Sequence, residues 1–328
     1  MIYNTFGIEA EAERYLEIGA EEELRQLLAQ GTLDEGPWMV VGGGSNMVFT
    51  RRYEGTVLHL TNKGLRVTPT EQGSLLVEAA AGEVWDDVVR DTCAAGLWGM
   101  ENLAAIPGTV GASPVQNVGA YGAEAKDVIR SVKAYDAHTG EARVFANEEC
   151  RFGYRDSIFK GELRGRYVVW SVTFELSREP RPNLQYKALA EAAEAAGLVS
   201  PTPMQICDLV TDIRWRKLPR PEVMGSAGSF FKNPVVDAAR YESLKAQYPD
   251  IVAYPAAAGW KLAAGWLIER AGWKGRNLGR CGVYEHQALV LVNCGGCTGD
   301  EVVALADAIT ADVRRLFGVE LEKEAIIV

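Results

Sequence analysis

The spacing of apolar residues along the chain predicts a series of helices. In residues 21–30, Leu24, Leu27 and Leu28 recur at the three- and four-residue spacing that places them on one helix face, and Gly31 follows as a stop. The same periodicity recurs in several longer segments. The predicted helices span residues 21–30, 83–95, 186–197, 204–217, 236–247, 261–271 and 299–317.

Short apolar runs, and runs in which apolar and polar residues alternate, predict strands between these helices. The clearest alternation places Val168, Trp170, Val172 and Phe174 on one face of residues 167–176. The predicted strands span residues 38–41, 57–60, 75–80, 130–135, 142–145, 167–176, 287–293 and 319–328. Helices and strands together predict an α+β fold class.

The length and charge of the chain limit its organisation and its partners. A chain of 328 residues predicts two or three domains, with a junction near the proline-rich residues 179–183. The chain has 34 basic and 44 acidic residues, which gives a net charge of −10. We expect no nucleic-acid and no membrane partner, because both rely on basic patches. A local positive pocket for a small anion remains compatible with this balance.

Nothing in the sequence marks secretion or a metal site. No apolar run approaches the roughly 18 residues of a membrane span, and residues 1–7 lack a secretion signal. The chain has six cysteines, too dispersed for a disulfide framework, so we expect reduced thiols and a cytoplasmic location. As a separate expectation, the protein is a monomer. Cys294 and Cys297 form a C-x-x-C pair without a second pair or a nearby histidine, so we expect no metal.

Two glycine-rich segments are candidates for holding a ligand. The predicted strand at 38–41 runs into residues 42–46, GGGSN, whose backbone N–H groups could hold a diphosphate or form a plain turn. This segment has neither the Rossmann nor the Walker A pattern of glycines. Residues 106–122 form a long run without periodicity, rich in glycine, and such a run either wraps a ligand or forms a surface loop.

A third small-residue segment, residues 225–234, presents one hydroxyl, Ser229, between glycine and two phenylalanines. Glycine permits close approach of the backbone to a ligand, so Ser229 could face a substrate while Phe230 and Phe231 exclude water. Alternatively the two phenylalanines fix a plain loop to the core. Arg155 is a second candidate, either as a clamp for an anionic substrate or as an ion-pair partner of Asp156.

These segments carry a resemblance to a known family. Six segments, among them FGYRDSIFK and GSFFKNP, follow one another in the order that this family has. Through them the chain resembles the UDP-N-acetylenolpyruvoylglucosamine reductase family, the flavoenzymes of bacterial peptidoglycan precursor synthesis. The resemblance covers nearly the whole chain. The matching segments are residues 42–46, 106–122, 151–160, 217–219, 225–234 and 261–266.

The resemblance implies a two-subdomain FAD-binding fold of the vanillyl-alcohol oxidase type, followed by a separate α+β substrate-binding domain. The implied bounds are 1–65 and 66–200 for the FAD-binding subdomains, 201–316 for the substrate domain and 317–328 for a C-terminal strand that returns to the active site. FAD is the implied cofactor and NADPH the co-substrate. The implied FAD-binding residues are Gly42, Gly43, Gly44, Ser45, Asn46, Pro107, Gly108, Val110, Gly111, Ser113, Asn117 and Gly119.

The resemblance also implies the chemistry. A hydride from FAD N5 reaches C3 of the enolpyruvyl group of UDP-N-acetylglucosamine enolpyruvate, and Ser229 protonates C2, which gives UDP-N-acetylmuramate. The guanidinium of Arg155 can bind the substrate carboxylate through two hydrogen bonds. Glu324 faces the same carboxylate, and it can assist only if a raised pKa keeps its own carboxyl group protonated. Tyr186 is the candidate in the tyrosine-bearing loop that closes over the uridine. The implied substrate-binding residues are Tyr154, Tyr186, Lys217, Asn233, Tyr254, Lys261 and Gln287.

The C-terminal segment departs from the family pattern. The family has Glu-Pro-Glu-Val where this chain has Glu322, Lys323, Glu324 and Ala325. We therefore expect a cation beside Glu324 and a tail that frays, since few residues follow. Two alternatives are another oxidoreductase with the same flavin fold and a non-catalytic module that binds flavin or a nucleotide sugar, in which Arg155, Ser229 and Glu324 would not converge.

Overall fold

A computed structural model describes all 328 residues of the chain, which form seven α-helices and nineteen strands. The strands are β1 (Ala12–Ile18), β2 (Trp38–Val41), β3 (Met47–Val48), β4 (Tyr53–Leu60), β5 (Leu65–Pro69), β6 (Leu75–Ala80), β7 (Gly119–Ala120), β8 (Ala123–Glu124), β9 (Ile129–Asp136), β10 (Ala142–Ala146), β11 (Tyr167–Leu176), β12 (Ser226–Ser229), β13 (Val235–Val236), β14 (Ala253–Ala256), β15 (Gly259–Leu262), β16 (Asn277–Leu278), β17 (Cys281–Val283), β18 (Val290–Asn293) and β19 (Ile326–Ile327). The helices are α1 (Glu21–Ala29), α2 (Trp85–Ala94), α3 (Lys187–Ala195), α4 (Pro203–Lys217), α5 (Ala238–Gln247), α6 (Ala264–Arg270) and α7 (Gly299–Phe317).

The chain forms two compact units, each built from separate stretches of sequence. The first unit comprises residues 1–11, 44–53 and 215–328, and the second comprises residues 12–43 and 54–214. These units describe which residues cluster in space. The functional domains expected at 1–65, 66–200, 201–316 and 317–328 concern what each region binds, and they stay a prediction.

Most of the predicted helices and strands exist, but some have different ends and several strands were not predicted. The helix predicted at 261–271 begins only at Ala264, because the preceding residues form β15. The strand predicted at 319–328 is reduced to β19, and the strand predicted at 287–293 is the shorter β18. The predictions omitted β1, β5 and the short strands β3, β7, β8 and β12 to β17. Every residue of β5 is exposed, although its five residues, LRVTP, alternate between apolar and polar positions. The alternation in this short run was not recognised as a strand.

The second unit is organised around an antiparallel sheet with strand order β10-β9-β11-β6-β5. Central β11 pairs with β9 and β6, so that Val172 lies opposite Val132 on one side and Ala79 on the other. Helix α2 covers this sheet and contributes the buried Trp85 to its core, edge-on to Phe174. A second sheet has the order β1-β4-β2, in which β2 and β4 are parallel. Strand β2 leads directly into Gly42.

The first unit contains the sheet β12-β18-β17-β16, the small sheet β13-β15-β14 and the parallel pair β19-β3. Helix α7 closes its core. Thr298 accepts a hydrogen bond from the Glu301 backbone at the start of this helix, and Gly318 ends it in the left-handed conformation. Ser229, at the end of β12, pairs with Val290 of β18.

The cysteines differ from the expectation of reduced thiols in one respect. Cys281 and Cys297 are joined by a disulfide, whereas the remaining four cysteines are free. The sequence placed Cys297 in a C-x-x-C with Cys294, but the partner that the fold brings to it is Cys281, 16 residues away. None of the helices combines the length and the apolar composition needed to cross a lipid bilayer.

Candidate active site

The two glycine-rich segments predicted to hold a dinucleotide lie against each other in the second unit. A Cβ added to Gly42 would overlap the Thr109 hydroxyl and approach the Thr109 Cβ to 3.3 Å. A Cβ added to Gly43 would lie 3.1 Å from the Gly108 Cα. The structure therefore requires glycine at 42 for space. Exposed backbone groups on two facing loops form the kind of cradle that a diphosphate needs.

Residues 44–46 of the same loop belong to the first unit. Gly44 has φ +57° and lies against the backbone of Tyr3 and Asn4, so only glycine fits there without strain. The Asn46 amide donates to the Glu324 carbonyl at 3.2 Å, and the Asn46 carbonyl accepts from the Ile326 N–H at 2.9 Å. A residue predicted to bind the cofactor thus contacts a residue predicted to be catalytic.

Residues 106–122 are folded into the second unit and are not a surface loop. The N–H groups of Val110 and Gly111 donate to the carbonyls of Glu83 and Ala81, both at 2.9 Å. The Ser113 hydroxyl, buried in the turn, donates to the Val110 carbonyl at 2.7 Å. These bonds, two to residues outside the loop and one within it, fix the path of this part of the loop.

Asn117 is fully buried, with φ +47°, and its side chain holds the loop together. Its amide nitrogen donates to Glu124 at 3.1 Å and to the Gly153 carbonyl at 2.9 Å, while its oxygen accepts from the Lys126 N–H at 3.0 Å. Both amide hydrogens therefore have protein partners. Asn117 joins the glycine-rich loop to the turn that carries Arg155.

Arg155 lies on this turn with φ +54°. Its guanidinium donates to the Gly119 carbonyl at 2.6 Å and to the Asn117 carbonyl at 3.5 Å, and it lies 5.4 Å from the centre of the Tyr154 ring. Backbone carbonyls of the predicted cofactor loop thus orient the guanidinium. The predicted substrate clamp and the predicted cofactor loop are parts of one structure.

Tyr186 stands at the start of α3 in the second unit and is exposed. Its ring meets the Tyr121 ring edge-on at 5.0 Å. Asn102 donates to the carbonyls of Tyr121 and Asn183 at 2.8 and 2.9 Å, which ties the segment before Tyr186 to the glycine-rich loop. Burial raises the pKa of Tyr121. The predicted closing tyrosine therefore rests on the predicted cofactor loop.

Arg214, on α4, joins this group although the sequence predictions omitted it. Its Nε donates to the Ala105 carbonyl at 3.2 Å, beside the start of the glycine-rich loop. Burial lowers the pKa of its guanidinium, and the charge of Arg155 lowers it further. Tyr121 and Asp86 act in the opposite direction and raise this pKa. The helical pattern around Arg214 gives no sign of burial. The only available signal is its position three residues before Lys217, on the same helix face.

Ser229 is exposed at the end of β12 in the first unit. Gly228 before it has φ +67°, which only glycine adopts readily, and an added Cβ would meet no neighbour. Phe230 and Phe231 are 0% and 1% exposed, with ring centres 5.3 Å apart. Their burial favours the alternative in which they fix this segment to the core. They lie in the core and anchor the strand that presents Ser229.

Glu324 lies next to this strand. Its N–H donates to the Phe230 carbonyl at 2.8 Å, so the residue after Ser229 is bonded to the backbone of Glu324. Lys323 pairs with Phe231 as an isolated bridge, and its ammonium group bonds Asp307 of α7 at 2.6 Å. The cation that we expected beside Glu324 is therefore directed to α7.

The expected fraying of the tail does not occur. The Val328 N–H donates to Val48, and the Val328 carbonyl accepts from the backbone and hydroxyl of Thr50. The parallel pairing of β19 with β3 lies between these bonds and the Glu324 contacts. Backbone hydrogen bonds thus replace the rigidity that proline gives the family segment.

Four predicted substrate-binding residues surround the start of α6. Tyr254 pairs with Lys261 across β14 and β15. The Asn233 oxygen accepts from the Ala264 N–H at 2.9 Å, which caps the helix. The Gln287 oxygen lies 3.0 Å from where a Cβ of Gly265 would be. The two remaining predicted substrate-binding residues lie elsewhere. Lys217 is the exposed last residue of α4, and Tyr154 is partly exposed beside Arg155.

Two family models match separate parts of the chain. Residues 12–145 match the model described as FAD binding domain. Residues 220–328 match the model described as UDP-N-acetylenolpyruvoylglucosamine reductase, C-terminal domain. Together these models span most of the chain, and the predicted FAD cofactor is confirmed.

Whole-chain relatives agree with the models. The chain is 47% identical to the UDP-N-acetylenolpyruvoylglucosamine reductase of Bdellovibrio bacteriovorus, over 98% of this chain and 96% of that protein. It is 49% identical to the reductase of that name from Pseudomonas aeruginosa, over 98% and 95%. The solved structure of UDP-N-acetylenolpyruvylglucosamine reductase from Thermus caldophilus shares the fold, with a TM-score of 0.66, 24% identity and coverage of 99% and 95%. The predicted fold class and the resemblance are confirmed.

Proposed function

The chain belongs to the UDP-N-acetylenolpyruvoylglucosamine reductase family, and we propose that it reduces UDP-N-acetylglucosamine enolpyruvate to UDP-N-acetylmuramate with NADPH as reductant. It is an FAD-dependent oxidoreductase. Matches over nearly the whole chain favour this function over a non-catalytic module or another oxidoreductase with the same flavin fold. The observation that carries the proposal for this chain's own residues is the bond that joins the Ser229 strand to Glu324.

The residues present fit the cofactor. Facing glycine loops at Gly42–Gly43 and Gly108 leave no room for side chains where a diphosphate would need backbone donors. The chemistry that FAD supplies when bound is transfer of a hydride from NADPH to C3 of the enolpyruvyl group. The fixed path of residues 106–122 supports a role in orienting the cofactor without a large rearrangement.

Ser229 donates the proton that C2 requires. Addition of hydride at C3 leaves negative charge at C2 and in the adjacent carboxylate, and a neutral hydroxyl can protonate so basic a centre when it is held close to it. The exposure of Ser229, and its position on a strand whose next two side chains lie in the core, support this role. Two anchoring phenylalanines keep the hydroxyl in one place.

Arg155 and Glu324 act on the carboxylate of the substrate. The guanidinium of Arg155 binds the carboxylate and stabilises the charge that spreads onto it, and the carbonyls of Asn117 and Gly119 keep it oriented. Glu324 faces the same group. Its backbone bonds to Phe230 and Asn46 fix its position on the Ser229 side.

Other side chains bind the rest of the substrate. Lys217 and Lys261 provide positive charge for the diphosphate, and Tyr254 stands opposite Lys261. Tyr186 closes over the uridine, starting from its contact with Tyr121. Because NADPH and nucleotide sugars are metabolites of the cytoplasm, we place the reaction there, and we propose a monomer as the working form.

The test replaces Ser229 with alanine and separates the two half-reactions. Purified enzyme reconstituted with FAD is first bleached with NADPH under anaerobic conditions, and the return of flavin colour is then followed after addition of UDP-N-acetylglucosamine enolpyruvate. Ser229→Ala should bleach at the wild-type rate but reoxidise about 10²- to 10⁴-fold more slowly, the usual contribution of a general acid. Ser226→Ala, on the same strand, is the matched control, because Ser226 is buried and its carbonyl bonds Thr5.

The proposal fails if Ser229→Ala reoxidises as fast as wild type. It also fails if Ser226→Ala slows reoxidation to the same extent, since the loss would then come from the strand and not from the hydroxyl. A wild-type protein that bleaches but does not regain colour with this substrate would contradict the assigned oxidant.

A further inference from the structure

Two free cysteines of the second unit face each other between helices α2 and α4. Cys93 lies on α2 and Cys207 on α4, and both belong to the apolar core of this unit. They are 2% and 0% exposed. The Cys93 S–H donates a hydrogen bond to the Cys207 sulfur. The two thiols are therefore direct neighbours, although they lie far apart in the chain.

A guanidinium group contacts the same pair. Arg90 precedes Cys93 by three residues on α2, which places both side chains on one face of the helix. The Arg90 Nη1 donates to the Cys207 sulfur at 3.7 Å, and its Nη2 pairs with Asp208 at 3.2 Å. The Arg90 side chain is 37% exposed, so the Cys207 sulfur lies one side chain below the surface.

The contacts around Cys207 favour its thiolate form. The hydrogen bond from Cys93 lowers the pKa of Cys207 and the charge of Arg90 lowers it further, whereas burial and the charges of Asp86 and Asp208 act in the opposite direction. The same hydrogen bond, together with burial, raises the pKa of Cys93. Because the thiolate is the nucleophilic form of cysteine, Cys207 is the sulfur that reacts first, while Cys93 keeps its proton.

A metal ion fits this pair poorly. A structural zinc site needs four ligands, and the one cluster of three potential metal-binding side chains lies elsewhere, at Cys281, Cys297 and Glu301. The guanidinium of Arg90 also places a positive charge against the Cys207 sulfur, where it would repel a cation. A thiolate beside a second thiol is instead the arrangement of a redox pair.

We propose that Cys207 is a site of oxidation by hydroperoxides and that Cys93 is its resolving thiol. The Cys207 thiolate attacks one oxygen of the peroxide, so that an S–O bond forms, the O–O bond breaks and hydroxide leaves as water. The Cys93 sulfur then attacks the Cys207 sulfur, so that an S–S bond forms, the S–O bond breaks and the second oxygen leaves as water with the Cys93 proton. Two thiols are oxidised to one disulfide, and one hydrogen peroxide is reduced to two waters.

The new bond would join two helices that hold the same residue. The Asp86 carboxylate of α2 accepts from the Ala105 N–H, and Arg214 of α4 donates to the Ala105 carbonyl at 3.2 Å. Ala105 has φ +56° and directly precedes the glycine-rich loop. A disulfide brings its two sulfurs to about 2.0 Å, closer than a hydrogen bond allows. Oxidation therefore draws α2 and α4 together at the position where they hold the start of this loop.

The experiment uses the full-length protein after reduction and removal of the reductant. Hydrogen peroxide is added, samples are quenched with N-ethylmaleimide in denaturant, and tryptic peptides are mapped by mass spectrometry. Trypsin places Cys93 in peptide 91–126, Cys207 in 188–214 and Cys150 in 144–151, so that each of these thiols is measured separately. A link between 91–126 and 188–214 reports the disulfide.

Cys150 is a control within the same sample. It is 0% exposed, its thiol donates to the Ala146 carbonyl at 3.4 Å, and burial raises its pKa to about 12. It should stay alkylated while the link between 91–126 and 188–214 forms. The exposed Cys294 shows that the peroxide is active, because it is oxidised without any opening of the fold.

Four variants separate the steps. Cys93→Ser, or Cys93→Ala where serine disturbs the core, should stop at a sulfenic acid on Cys207, which dimedone in the quench traps on 188–214. Cys207→Ser should leave Cys93 alkylated. Arg90→Gln, in which the first peptide becomes 67–126, should form the disulfide at least about fivefold more slowly, because less thiolate is present. Asp208→Asn is its matched control and should not be slower than wild type, since the Arg90 contact with the sulfur remains.

Four results would overturn the proposal. The first is that 91–126 and 188–214 stay alkylated at peroxide concentrations that oxidise Cys294. The second is loss of the Cys150 thiol as fast as the Cys207 thiol, since oxidation would then follow unfolding and not the contacts of the pair. The third is the absence of a dimedone adduct on 188–214 in both Cys93 variants. The fourth is a wild-type rate of disulfide formation in Arg90→Gln.

Discussion

Replacing Gly42 with alanine should weaken FAD binding while leaving the fold intact. Gly42 has an ordinary backbone conformation, so alanine adds no strain of its own there. The added methyl group would overlap the Thr109 hydroxyl and lie 3.3 Å from both the Cβ and the Cγ2 of Thr109. Rotation of the Thr109 side chain cannot relieve all of these contacts, because each rotamer places a heavy atom near the methyl group.

The backbone of Thr109 cannot easily retreat. Thr109 forms a bridge with Val84, and the Gly108 carbonyl accepts from the Trp85 N–H at 3.0 Å. The strain therefore has to separate the two glycine loops. Overpacking of this kind costs about 1–3 kcal/mol. If that cost falls on the arrangement that binds FAD, the affinity should drop by about 5- to 150-fold.

The assay is a titration of apoprotein with FAD, followed by flavin fluorescence, with thermal unfolding of the same samples. Gly36→Ala is the matched control, because Gly36 also has an ordinary conformation and an added Cβ would meet nothing within 4 Å. The double variant Gly42→Ala with Thr109→Ala removes the overlapping hydroxyl and methyl groups. It should recover most of the lost affinity, which a double-mutant cycle measures as coupling.

Two results would refute this reasoning. Equal FAD affinity in Gly42→Ala and Gly36→Ala would mean that the contact between the loops does not serve the cofactor. A loss in Gly42→Ala that Thr109→Ala fails to reduce would mean that the overlap with Thr109 is not its cause.

Two further predictions concern a catalytic side chain and acid stability. Glu324→Ala should slow flavin reoxidation by substrate, measured by the return of flavin colour, about 10²- to 10³-fold. Glu322→Ala is the control and should change the rate little, because the Glu322 side chain is 71% exposed and pairs with Lys232. Equal losses in the two variants would argue against a direct role for Glu324. Tyr135→Phe should lower the free energy of unfolding at pH 7 by about 1 kcal/mol, because the Tyr135 hydroxyl is the largest cause holding the pKa of Glu21 below its ordinary value. A depressed folded pKa stabilises the protein above the unfolded pKa, and this gain is lost as pH falls through the folded pKa. The difference between the two proteins should therefore shrink as the pH falls through the depressed pKa of Glu21. A difference that stays constant in denaturant titrations from pH 7 to pH 3 would contradict this.

Local patterns in the sequence predicted more of the site than of its support. The GGGSN turn, the glycine-rich run at 106–122 and the Gly-Ser-Phe-Phe segment were identified because small residues in a fixed order reveal where backbone must be exposed. Helix α7 was predicted to its bounds, since its apolar periodicity, Thr298 and Gly318 all act within a few residues. Strand β5 was missed although its five residues alternate between apolar and polar, and both of its faces are exposed in the structure.

The sequence by itself thus identified the candidate segments for the chemistry and determined the family to which the chain belongs. The tertiary structure decided what holds them. It directed Lys323 to Asp307, buried the phenylalanines beside Ser229 and joined Cys297 to Cys281 instead of its C-x-x-C neighbour. These outcomes depend on contacts between residues far apart in the chain, often through backbone atoms that every residue possesses. Local periodicity carries no record of such contacts, so only the folded chain reveals them.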